Sequence, residues 1–215
     1  MMLWNRSFFL LLLAMAVVLA VSIIFKQRKQ MGTAVNKKEY KLFKVMDIVN
    51  NMEILRTICK PVTTIDDNIR ENLYRMRETM YASGGIGIAA NQVGLRDCMV
   101  VIDLQERGLK KPIYLINPEI VWHSRKKKSF EESCLSVPSD SASRVVRADG
   151  VTVKYLDEYG VEKSTGKVGG LFAVCLQHEL GHLRGELYID LLSREDRNKI
   201  VEKAPHILEK RKNSK

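Results

Sequence analysis

Two histidines four residues apart, His178 and His182, frame a glutamate in the run Gln177-His178-Glu179-Leu180-Gly181-His182. An apolar run, Leu171 to Leu176, precedes them. If that run is helical, both imidazoles fall on one face, one turn apart. Two imidazoles so placed can hold one divalent metal ion, and the adjacent carboxylate can act as general base on a water bound there. Chance also produces this pattern on amphipathic helices. A metal site therefore needs a third ligand and a substrate site from elsewhere in the chain.

Cys134, in Glu131-Glu132-Ser133-Cys134-Leu135-Ser136-Val137-Pro138, is the candidate third ligand. It is the one cysteine in a polar, turn-like setting, and two imidazoles plus a thiolate with an open position form a catalytic metal site. A free surface thiol is the alternative. Cys98 and Cys175 lie in apolar runs, where a thiol acts as a small hydrophobe. No CxxC pair and no disulfide framework is visible, which fits a reducing compartment. A glycine-rich stretch, Gly84-Gly85-Ile86-Gly87-Ile88-Ala89-Ala90-Asn91-Gln92-Val93-Gly94, lets backbone approach a ligand closely. It follows a helical pattern and lacks the Gly-Lys-Ser/Thr ending, which speaks against nucleotide binding.

The elements that must position these residues are read from pattern. Thr64 to Asp67 offers N-cap residues, and Ile69, Leu73, Met76 and Met80 form a helical stripe ended by Gly84-Gly85. Cys98 to Ile102 reads as a buried strand. Ile113 to Trp122 reads as one or two strands broken at Asn117-Pro118, and Val151 to Leu156 as an alternating strand. The histidine helix comes next. A last helical segment from Ser193 should be interrupted at Pro205. Strands succeeded by a long helix argue for an α+β domain.

The amino-terminal part is different in kind. Residues 7–25 are uncharged and almost wholly apolar, with Arg6 before and Lys26, Arg28 and Lys29 after. About 20 such residues span a bilayer. The positive flank places the rest of the chain in the cytoplasm. An uncleaved or cleavable signal is the competing reading. Translation from Met31 or Met46 would instead give a soluble cytoplasmic form. The formal net charge of +10 suggests an anionic neighbour such as RNA or a lipid surface, or simply a soluble basic protein.

Taken together, three stretches in order resemble the peptide deformylases: Gly85 to Gln92, Glu132 to Ser136, and Gln177 to His182. Weaker similarity runs from Met52 to Leu192, including Leu115-Ile116-Asn117-Pro118-Glu119. The resemblance implies an α+β fold with antiparallel strands around a central metal-binding helix and a carboxyl-terminal helix. It implies that Cys134, His178 and His182 hold one divalent ion, Fe(II) by family precedent, with Zn(II) or Ni(II) as substitutes. Glu179 would be the general base. Gln92 and the backbone N–H of Leu135 would stabilise the oxyanion. Gly87 would pair with the peptide backbone, and Ile86, Leu171, Val174 and Cys175 would line a methionine pocket. The implied substrates are N-formylmethionyl nascent peptides, deformylated with release of formate; the sequence does not give the oligomeric state, and a monomer is the expectation. The expected division is residues 1–27 as anchor or uncleaved signal, 28–49 as basic linker, 50–205 as catalytic domain and 206–215 as basic tail able to contact a ribosome.

Two motif positions depart from the family. Gly181 stands where the family has Asp, a carboxylate expected to pair with Arg147. Its loss predicts an unpaired cation and a helix weakened by about 1 kcal/mol. Ser133 stands where the family has Gly, which predicts strain in the cysteine loop. These departures support a second reading, a deformylase-like protein that binds metal or peptide with little turnover. A zinc peptidase is a third, opposed by the glycine-rich and cysteine stretches.

Overall fold

The computed structural model describes residues 39–108, 110–138, 140 and 142–213. The apolar run 7–25 lies outside them. Among the described residues no helix is long and apolar enough to cross a membrane.

Helix α1 (Met52–Leu55) is short. Helix α2 (Asp67–Ala82) starts at Asp66, whose carboxylate accepts the Ile69 N–H at 2.9 Å, as its N-cap residue type predicts. Strands β1 (Gly87–Ala89), β2 (Met99–Ile102), β3 (Ile113–His123), β6 (Gly150–Leu156), β7 (Glu162–Ser164) and β8 (Val168–Gly169) form one antiparallel sheet. Its order is β1-β2-β3-β6-β7, with β8 also on β6. Strands β4 (Lys127–Glu132) and β5 (Ser143–Ala148) form a separate hairpin. Helix α3 (Gly170–Leu183) carries the histidines, and α4 (Arg194–Asn213) closes the chain.

The β2 run is apolar throughout because both its faces are covered. Val100 and Ile102 pack with Ala173, Leu176 and Leu180 of α3. Met99 and Val101 pack with Leu73, Met76 and Met80 of α2. The sheet is thus a central layer with the metal-binding helix on one side. The α+β expectation holds, and so does the antiparallel sheet against a central helix.

Three expectations need correction. The break at Asn117-Pro118 is a bulge within one strand: Asn117 adopts φ 49° and the β3–β6 register shifts between Ile116 and Glu119. The Asn117 amide exchanges two hydrogen bonds of 2.8 Å with the Val62 backbone, which holds the kink. Helix α4 runs through Pro205 to Asn213. The carbonyl that loses its partner belongs to Val201, which is exposed and can turn to water.

The linker expected to reach residue 49 also ends sooner. Tyr40 packs against Tyr74, and Arg75 lies 3.9 Å over the Phe43 ring. Phe43 N–H donates to Thr79 Oγ1 at 2.9 Å. Met46 N–H donates to the Gln92 carbonyl at 2.8 Å, and Ile48 N–H to that of Ser136 at 3.0 Å. Residues 40–48 are therefore a strap across two loops that carry site residues. A chain begun at Met46 would lose its outer half.

Candidate metal centre

Helix α3 buries all the side chains that matter here: His178, Glu179 and His182. Cys134 arrives from the turn after β4. One ligand atom from each of Cys134, His178 and His182 lies within 4.8 Å of the others. Cys134 Sγ is 3.2 Å from His182 Nε2. The sequence thus brings its three expected ligands to one point.

His178 is oriented from behind. Its Nδ1 lies 2.8 Å from Glu132 Oε2, which leaves Nε2 to face Cys134. The same carboxylate accepts from Arg147 through Nε at 2.7 Å and Nη2 at 2.8 Å. Burial pushes the Glu132 carboxyl upward, but these bonds outweigh it and hold it at about 2. Burial opposes a charge on His178, yet Cys134 and Glu132 raise it to about 10. The groups that favour a proton on this imidazole also favour a cation bound to it. Burial keeps His182 neutral, the ligating form.

These facts correct the expectation of an unpaired cation. Arg147 has its carboxylate in Glu132 and does not depend on position 181. Helix α3 continues through Gly181. A Cβ there would meet Glu186 Oε2 at 3.6 Å, an ordinary contact. Ser133 is not among the described residues with positive φ, so the predicted strain is absent.

Glu179 is the candidate base. Burial raises its carboxyl to about 7, and its Oε2 is buried with no hydrogen-bond partner among the described residues. A polar atom orphaned beside converging sulfur and nitrogen donors fits a bound divalent ion with its water. Gln92 is aimed at the same point. Its Nε2 lies 3.5 Å from Cys134 Sγ and 3.2 Å from Ser136 Oγ, while its Oε1 accepts the Ala89 N–H at 2.8 Å.

The residues expected to receive the peptide lie as follows. A side chain at Gly87 would collide with Glu179 Oε1 and come within 2.8 Å of Cys175 Sγ, so only glycine leaves this approach open. Among the described residues, strand β1 pairs with β2 on one edge only. Gly85 faces Leu135, whose Cδ1 lies 2.9 Å from where a Cβ would stand. Val174 and Cys175 are buried, Ile86 is half-buried, and Leu171 is exposed at the helix start.

Three positioning residues have roles that the sequence did not disclose. Glu132 lies just before the cysteine and carries no distinguishing pattern of its own. Asn91 is fully buried and donates its amide to the His182 carbonyl at 2.5 Å and the Leu55 carbonyl at 3.1 Å. Gln177 exchanges hydrogen bonds with the Ala148 backbone, N–H to Oε1 at 3.1 Å and Nε2 to carbonyl at 3.0 Å. A polar residue within an apolar motif was the available signal for Asn91.

A cysteine sulfur, two imidazoles and a buried carboxylate brought together are the side-chain set of a mononuclear metal-dependent hydrolase centre. A family model described as polypeptide deformylase matches residues 45–198. The chain is 44% identical to a peptide deformylase of Phenylobacterium zucineum over 150 residues, 69% of this chain and 88% of that one. It is 42% identical to peptide deformylase 1 of Ralstonia nicotianae, over 73% and 91% of the two chains. The crystal structure of a Legionella pneumophila peptide deformylase superposes with a TM-score of 0.73 at 39% identity, covering 81% of this chain and 99% of that one. One from Synechococcus elongatus in complex with actinonin gives 0.69 at 36% identity, covering 75% and 86%. The chain belongs to the polypeptide deformylase family.

Proposed function

We propose that the chain is a working peptide deformylase that removes the formyl group from the amino-terminal formyl-methionine of new peptides. The observation that carries this is the meeting of Cys134, His178 and His182 with a buried Glu179 and the Gln92 amide. The three ligands would hold one divalent ion, Fe(II) in the cell, with Zn(II) or Ni(II) able to replace it. When bound, such an ion supplies Lewis acidity toward water and the formyl oxygen.

The residues of the chain do the rest. The peptide adds along the free edge of β1, where Gly87 admits its backbone. Its methionine side chain enters between Ile86, Val174 and Cys175, with Leu171 at the mouth. Glu179, poised near neutrality, takes the proton of the attacking water and returns it to the departing amino nitrogen. Gln92 Nε2 and the Leu135 N–H donate to the oxygen that gains charge. Formate and a free amino terminus leave. Formate release from a formyl-methionyl peptide, set against release of a free amino terminus from its acetyl counterpart, tests this.

Location is part of the proposal. The apolar run 7–25 and its positive flank support a membrane anchor with the catalytic unit in the bacterial cytoplasm. Lys203, Lys210 and Arg211 on α4 support contact with ribosomal RNA.

A further inference from the structure

One corner of the catalytic unit is strongly basic and has no part in the site. It forms where β3 ends and β6 and β8 begin. His123 stands opposite Val151, and Val151 opposite Val168. The turn after β3 is tied to the same place: Ser124 N–H donates to the Gly150 carbonyl at 2.8 Å and Asp149 N–H to that of Lys126 at 2.9 Å. Arg125, Lys126, Lys127 and Lys128 come next in sequence, all exposed. Lys167 arrives from the residue before β8, its Nζ 4.7 Å from the Trp122 ring centroid. Asp149 lies in this corner, and Lys126 engages it at 3.2 Å.

Lys167 thus lies over a tryptophan that is 39% exposed, beside Val121 at 44%, and four further exposed cations follow in the turn and strand tied to the same corner. A solvated charge run does not need an exposed indole and valine at its centre. That combination suits the headgroup layer of an anionic bilayer, where cations meet phosphate and an amphipathic ring sits at the boundary. Stacking on a nucleobase fits less well, because Lys167 already covers a face of the ring.

We infer that the corner formed by Trp122, Arg125, Lys126, Lys127, Lys128 and Lys167 docks on anionic phospholipid. It rests on the proposed anchor only for its proximity to a membrane; the docking itself is electrostatic.

The test uses Trp122 as the reporter. The chain has two tryptophans, so a full-length Trp4→Phe variant leaves Trp122 alone. It is mixed with vesicles of phosphatidylcholine, or of phosphatidylcholine with phosphatidylglycerol, each carrying a shallow spin-label quencher. Trp122 should be quenched at least several-fold more with the anionic lipid. Raising salt toward 1 M, where the screening length falls to about 3 Å, should remove the difference. Replacing Arg125, Lys126, Lys127 and Lys128 together by Gln should also remove it, with hydrolysis of a soluble formyl peptide unchanged as evidence of folding. Equal quenching with both lipids, or none with either, overturns the inference. So does RNA binding lost in the same variant without lipid quenching. Sedimentation with neutral vesicles reports the anchor separately: its absence refutes the anchor and leaves the docking surface standing.

Discussion

Glu132 Oε2 lies 2.8 Å from His178 Nδ1, and the same carboxylate is gripped by both arms of Arg147. A metal ligand is thus oriented by a buried ion pair on a neighbouring hairpin. Glu132→Ala removes the acceptor and strands the Arg147 charge. It should cost about 3–5 kcal/mol of stability and weaken metal binding about 10–100-fold. Denaturant unfolding and competition with a metal chelator measure the two effects.

The same residue sets an acid limit. Its folded carboxyl titrates at about 2 against an ordinary 4.5. The folded value is the lower one, so its contribution is complete above pH 4.5 and disappears as pH falls toward 2. It amounts to about 3 kcal/mol. Between those values the stability of the native chain should fall more steeply with acid than that of Glu132→Gln. Parallel curves would contradict the assignment.

Asn91 spans the gap between Gln92 and a ligand, since its amide holds the His182 carbonyl. Asn91→Leu should lower stability by about 2 kcal/mol. Displacing groups by fractions of an ångström should lower kcat about tenfold with KM nearly unchanged. The visible spectrum of a Co(II)-loaded sample should shift with it, which a purely structural role would not cause.

Gly181→Asp decides between an active enzyme and a binding relative. Arg147 is already paired, and the new carboxylate would lie against Glu186. The rate should change by less than about tenfold, or 1.4 kcal/mol. A gain of several orders of magnitude would favour the weak-activity reading.

The strap gives a deletion test. A chain started at Met46 loses the Tyr40 and Phe43 contacts and places a charged amine at the Gln92 carbonyl. It should be about 2 kcal/mol less stable than one started at Glu39, with reduced kcat/KM. Equal thermal midpoints would refute a role for the strap.

Much of this centre was legible because its chemistry is local. Histidine spacing on one helix, a cysteine in a polar turn and glycines beside a glutamine each show in a few residues. The features that were not legible depend on distant partners. Lys127 and Lys128 gave no strand signal, because the hairpin owes its pairing to residues near Arg147. Glu132 carried no distinguishing pattern until its neighbours were known. Gly181 looked like a defect because the partner of Arg147 was assigned from the family and not from β4. Pro205 misled because a helix can lose one bond where its carbonyl meets water.

The decisive question is whether Glu179 acts at the centre built by Cys134, His178 and His182. Its most direct test is formate release from a formyl-methionyl peptide by full-length, Fe(II)-loaded chain, with Glu179→Ala as control. Steady release that stops on chelation, returns with metal and falls at least about a hundredfold in the variant is expected. Release no greater than that of the variant, with metal bound equally in both, would contradict it.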